Sequence, residues 1–284
     1  MRRRVRHFMK ILVLYFSATG NTRHAAEYIA GKLRSDGEEV SVASIEELPP
    51  EQARCDMLIM GYPVNAFSLP GSVRTYIASM PDPDLKGAFV FCTMGMWPGD
   101  AVRKGLLALK KRGYVPLGGA AIAMPAAGKL CTLDRNHREV RELAGRDFAA
   151  LPQADAFLEQ VRTVIARIKS GQPVTFSTDE LEIDALPWLS GLLADALRPL
   201  ASKYMSGHLK SDSKCTGCGY CARICPSGAI TVSGKKASFS KLCEMCLRCL
   251  NHCPENSIQL GSKTDGKYRY RGPAGDFRPT EKKR

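Results

Sequence analysis

The chain has 284 residues, 44% hydrophobic and 24% charged, which is enough for two globular units with a sizeable core. No apolar run reaches the roughly 18 residues of a membrane span; the nearest stretch, 181–201, is broken by acids and prolines. The formal net charge of +13 is concentrated in residues 1–8 and 263–284, which read as solvated basic tails, and no recognition motif supports nucleic acid as the partner.

Residues 1–8 form a basic extension without an apolar segment for secretion, and Met9, just before the first apolar run, is an alternative start; the expected location is cytoplasmic. From there strand and helix patterns alternate. Strands are expected at Lys10–Phe16, Val40–Ser44, Asp56–Val64, Gly87–Thr93 and Gly118–Met124, with helical patterns at 22–34, 71–80, 99–112 and 153–169. Continuous apolar strands separated by helices predict an α/β, doubly wound, parallel five-stranded sheet over 9–170. Residues 171–207, acidic and apolar with Pro187 and Pro199, form a partly helical connector to 208–262. Residues 263–284 are the basic C-terminal tail.

The loop after the first strand, Ser17-Ala18-Thr19-Gly20-Asn21-Thr22, sets three hydroxyls and a glycine between a strand and a helix N-terminus. Hydroxyls, backbone N–H groups and the helix dipole can converge there on one phosphate. The loop lacks the glycine pattern of dinucleotide sites and the Gly-Lys-Ser/Thr of triphosphate sites.

The strongest signal is eight cysteines: Cys215-x2-Cys218-x2-Cys221-x3-Cys225-Pro226 and Cys243-x2-Cys246-x2-Cys249-x3-Cys253-Pro254. This is the ligand run of a bacterial-type protein with two 4Fe–4S clusters, in which the fourth cysteine of each run ligates the other cluster. Cys215, Cys218, Cys221 and Cys253 are therefore assigned to one cluster, and Cys243, Cys246, Cys249 and Cys225 to the second. An offset of 28 residues superposes both runs, along with Ile230 on Ile258 and Val232 on Leu260, as in a duplicated half-module. Zinc, which also binds paired Cys-x2-Cys units, does not call for a third cysteine at the same spacing followed by Cys-Pro, twice.

The segment Tyr15–Thr22 resembles the phosphate loop of flavodoxins. Two further loops are similar to those that clasp the isoalloxazine ring of FMN in that family: Gly61-Tyr62-Pro63-Val64-Asn65-Ala66-Phe67 and Thr93-Met94-Gly95-Met96-Trp97-Pro98-Gly99. The resemblance implies FMN as cofactor, held by Ser17–Thr22, Pro63–Phe67, Thr93–Trp97 and Gly99, with Tyr62, Phe67 or Trp97 stacking on the ring. Over residues 9–271 the chain looks like the flavodoxin–ferredoxin fusion proteins of anaerobes, including its closing Gly266-Lys267-Tyr268-Arg269-Tyr270. The implied architecture is a flavodoxin-like five-stranded sheet followed by a small α+β two-cluster ferredoxin-like domain.

Among the other candidates, Cys55 and Cys92 read as buried hydrophobes, Cys131 as a thiol near the flavin, and His137 and His252 as surface histidines. No nucleophile–base set supports hydrolysis. The expected function is electron relay between two 4Fe–4S clusters and FMN and on to a redox partner with an acidic docking surface, complementing the chain's positive charge. The alternatives are an FMN-dependent reductase of a small substrate fed by its own clusters, and a cluster-based iron or oxygen sensor.

Overall fold

The apolar runs of the first half pair as parallel strands in a computed structural model that describes residues 9–66, 68–172 and 187–281. The elements are β1 (Lys10–Tyr15), α1 (Asn21–Ser35), β2 (Glu39–Ser44), β3 (Met57–Pro63), α2 (Gly71–Ser79), β4 (Gly87–Met94), α3 (Ala101–Arg112), β5 (Val115–Ala123), α4 (Ala127–Leu130), α5 (Arg138–Ala144) and α6 (Pro152–Lys169). The sheet order is β2-β1-β3-β4-β5, parallel throughout.

Alternation along the strands explains why the sheet is covered on both faces. Leu12, Leu14, Leu58, Met60 and Val90 pack against Val73 and Ile77 of α2 and Leu106 and Leu109 of α3. Their neighbours Ile11, Val13, Met57, Ile59, Phe89 and Phe91 face Ile29 and Leu33 of α1 and Phe157 and Val161 of α6. Each side chain buried this way is worth about 1.5–3 kcal/mol. Cys55 and Cys92 belong to the first of these cores.

Two details differ from the sequence reading. β5 begins at Val115, three residues before Gly118, and its register with β4 shifts between Ala88 and Phe89. The short helices α4 and α5 follow β5, outside the four longer helical patterns; His137, among arginines where a helix is expected, is the N-cap of α5, its Nδ1 accepting from Glu139 N–H at 3.3 Å.

The second unit comprises α7 (Pro187–His208), β6 (Leu209–Ser211), α8 (Tyr220–Arg223), β7 (Ile230–Ser233), β8 (Lys236–Phe239), α9 (Arg248–His252) and β9 (Ile258–Leu260). β6 pairs antiparallel with β9, and β7 with β8. The 28-residue offset carries β6 onto β8, α8 onto α9 and β7 onto β9, so each antiparallel pair is the duplicate of the other. No helix among the described residues is long and apolar enough to cross a membrane.

The C-terminal segment, expected to be solvated, is instead a strap packed between the units. Thr264 and Tyr270 have no exposure and Phe277 is 9% exposed. Tyr268 N–H donates to Leu133 O, Tyr270 N–H to Asn251 Oδ1, and Lys267 pairs with Asp134. Its positive charge misled because the aromatic and hydroxyl residues between the cations do the packing. Residues 1–8, most of the connector before α7, and 282–284 lie outside the described residues.

Candidate functional site

The phosphate loop leaves the carboxyl end of β1, where doubly wound sheets bind ligands. Ser17 Oγ accepts from Gly20 N–H at 3.1 Å, closing the loop, and Gly20 turns into α1 at φ +103°. A Cβ there would stand 2.8 Å from both Gly272 Cα and Phe277 Cβ, so the strap backs the loop and requires glycine. Thr22 Oγ1 and Thr93 Oγ1 are 2.8 Å apart, tying the helix start to the end of β4. Asn21 Nδ2 donates to Pro125 O at 2.9 Å, while its Oδ1 accepts from Tyr270 Oη at 2.5 Å. The first N–H groups of α1 have no partner within the helix, which makes this end an anion seat.

These loops enclose a cavity of about 360 Å³, within the usual range of about 300–1,000 Å³ for small-molecule sites. Ser17, Ala18, Thr19, Asn21, Thr22, Pro63, Val64, Asn65, Ala66, Thr93, Met94, Gly95, Met96 and Trp97 line it. Asn65 is 8% exposed and its Nδ2 is buried without a hydrogen-bond partner, a donor that a ligand's polar edge can satisfy. An anion seat, an apolar slot and an unpaired donor together fit a phosphorylated planar ligand such as FMN.

Some expected residues sit elsewhere. Gly20 stands behind the loop, and Gly99, at φ +54°, shapes the turn into α3 rather than the cavity wall. Tyr62 is fully buried under the sheet, donating to Ala101 O at 2.9 Å, and cannot stack on a ligand. Trp97 stands on the rim, 42% exposed, and Phe67 lies outside the described residues. Cys131 is not at the cavity; it packs beside Leu209, Leu250 and Ile258, where burial raises its thiol pKa. His252 is 4% exposed rather than on the surface, edge-on to Phe277, and burial with the nearby Arg271 and Arg248 holds its pKa down to about 3.

The sequence reading missed the far wall. Pro125–Lys129 closes one side, and Met245, Cys246 and Leu247 of the second cysteine run close another. Long-range docking of one unit on the other carries no signal in local periodicity.

The cysteines form two sets. Cys215, Cys218, Cys221 and Cys253 line a common cavity. Burial raises Cys221 to about 11, with Cys253, Cys218 and Cys215 adding like-charge repulsion. Cys243, Cys246 and Cys249 are each raised first by burial and then in part by Cys225. Ala229 N–H donates to Cys225 Sγ and Ser257 N–H to Cys253 Sγ, both at 3.3 Å, a pair of bonds related by the repeat. Among the described residues no three His, Cys, Asp or Glu side chains converge on a point that could hold a single ion. Four thiols around a cavity, with N–H groups aimed at sulfur, fit a 4Fe–4S cluster.

Two side chains of the second run anchor it to the sheet unit. Glu244 accepts from Ser72 N–H at 2.6 Å and Ser72 Oγ at 2.9 Å, capping α2. Arg248, without exposure, reaches Ser17 O, Ala18 O, Ile224 O and both carboxylate oxygens of Glu46, and lies 4.9 Å over the Phe16 ring.

Comparison with known proteins matches residues 12–112 to a flavodoxin domain and residues 209–231 to a 4Fe-4S binding domain. The first unit is a flavodoxin-like domain. The iron–sulfur match covers the first cysteine run of the unit joined to it. Similar solved structures include a flavodoxin from Archaea (22% identity, 40% of this chain and 85% of that one, TM-score 0.36). The two-electron reduced Megasphaera elsdenii flavodoxin has 21% identity over 42% of this chain and 89% of its own, TM-score 0.37. Oxidised Flavodoxin 2 from Bacillus cereus has 22% identity over 55% and 99%, TM-score 0.40. Among curated proteins no match is found.

Proposed function

We propose that the chain is an electron carrier that relays electrons between two 4Fe–4S clusters and one FMN, and through them between redox partner proteins. One observation carries the reading: Cys246 belongs to the second cysteine set and also lines the flavin cavity. The second set is thus the inner one, against the flavin, and the first set, with Cys218 exposed, is the outer one.

FMN exchanges one or two electrons and each cluster one, so together they link one-electron and two-electron partners. The protein's part is to bind and orient. The phosphate loop seats the flavin phosphate, and Asn65 Nδ2 supplies a donor to the ring edge. Ala229 and Ser257 N–H groups hold the sulfurs of Cys225 and Cys253. Burial around Cys225 and Cys249 of the inner set and Cys253 of the outer one keeps water from these thiolates. Gly234 and the exposed Lys235 flank Gly217 beside the outer set, placing positive charge where an acidic partner would dock.

The test is metal, sulfide and flavin analysis of anaerobically purified protein with a visible spectrum. The expected content is about eight irons and about one FMN per chain. In C253S the centre held by Cys215, Cys218 and Cys221 should change its electron paramagnetic resonance signal while the other persists. Zinc without labile sulfide defeats the cluster assignment, and turnover of a small organic substrate by the isolated protein defeats the pure-carrier reading.

A further inference from the structure

We infer that flavin binding is conditional on the assembled loop of the second cluster, and that Arg248 is the positioning residue that couples them. This rests on the FMN and cluster reading above and adds an order to it: the inner cluster loop must be in place before the flavin is held.

The first support is the direction of two peptide planes. Arg248 Nη2 donates to Ser17 O at 2.5 Å and Nε to Ala18 O at 3.3 Å. In a trans peptide the carbonyl and the following N–H point opposite ways. Fixing the carbonyls of Ser17 and Ala18 therefore fixes the N–H groups of Ala18 and Thr19, both residues of the cavity wall. Arg248 itself stands between Cys246 and Cys249, so its position follows from the loop that those thiolates wrap. The Glu46 carboxylate, at 2.6 and 2.7 Å, neutralises the guanidinium and keeps its fork in register.

The second support is the wall. Met245 and Leu247 line the cavity and hold φ of +57° and +55°, where their counterparts in the first run are Gly217 and Gly219. Left-handed backbone at a non-glycine residue is strained, because Cβ crowds the following carbonyl oxygen. The thiolate wrap holds this conformation, and without iron the wall relaxes. Binding linkage is reciprocal, so bound flavin must also retain the second cluster.

The test is titration of FMN by flavin fluorescence into anaerobically prepared, deflavinated protein of known iron content. R248Q at full iron content should bind FMN at least tenfold more weakly, with R248K, which keeps charge but not the fork, in between. Chelating iron from the unaltered chain should weaken FMN by a similar factor while circular dichroism retains the helical signal of the first unit. Saturating FMN should slow iron loss to the chelator. Should R248Q not fold, L247G serves: it deletes a wall side chain and relieves its backbone, so iron is kept and FMN weakened. Unchanged FMN affinity in iron-replete R248Q, or in the chelated chain, overturns the inference. An unaltered holo chain that takes no FMN defeats the flavin reading instead.

Discussion

Leu247 holds the left-handed backbone conformation, φ +55°, that Gly219 adopts at φ +72° at the equivalent position of the first cysteine run. The duplication has kept the backbone while exchanging glycine for side chains on the run that faces the flavin cavity. The exchange is not free to go everywhere. A Cβ on Gly217 would stand 2.2 Å from Gly234 O, whereas Met245 in the other half has room. G217A should therefore destabilise the outer cluster: iron content falls towards about four per chain, the content of a single cubane, with the inner centre's resonance preserved. Full iron content and both resonances in G217A would contradict this.

The strap makes its own contribution to the flavin site. Tyr270 is fully buried, and burial raises its phenol well above the usual range, so it remains a hydrogen donor to Asn21 Oδ1 at any working pH. Y270F leaves that buried oxygen without its partner, a loss of about 1–3 kcal/mol. Urea unfolding should register it, and FMN affinity should fall severalfold because Asn21 lines the cavity.

Glu244 caps α2 across the interface of the two units. E244A removes an anion and two acceptors from the first turn and should cost about 1 kcal/mol. Protection of the amides at the start of α2 in hydrogen exchange should drop, with β1 and β3 unchanged. Equal protection would mean the cap contributes nothing.

Cys92 gives an alkaline limit to stability. Burial raises its thiol from 9.0 to about 12, so the folded thiol stays protonated while the unfolded one ionises. The stabilisation is complete below pH 9 and is lost as pH rises from 9 towards 12, at about 1.4 kcal/mol per unit. Cys55, raised to about 11, adds in the same sense. Denaturant unfolding under reducing conditions at pH 8, 9.5 and 10.5 should show this slope, and C92A should have a shallower one.

The sheet was legible because Lys10–Tyr15, Met57–Pro63 and Gly87–Met94 are buried on both faces, and such strands read as unbroken apolar runs. The cysteine sets were legible because ligand spacing is a local property of the chain. The parts that escaped depend on distant segments. Arg248 looks like any exposed cation beside a ligand until Glu46 and two loop carbonyls surround it. His252 was placed outside because nothing near it in sequence reveals Phe277. Tyr62 is adjacent to a flavin-type loop, yet strand alternation turns it into the core, and that alternation was visible in Met60 and Tyr62 themselves.

The bond between Tyr270 and Asn21 joins residues 249 positions apart. During synthesis the sheet unit leaves the ribosome first and can fold while the rest of the chain is still being made. Its cofactor pocket nevertheless lacks a backing until the segment that follows both cysteine runs has been made. A ribosome that stalls after the cysteine runs releases a product with folded strands but a slack phosphate seat. Translation through Tyr270 and Phe277 thus becomes a condition for a backed cofactor pocket.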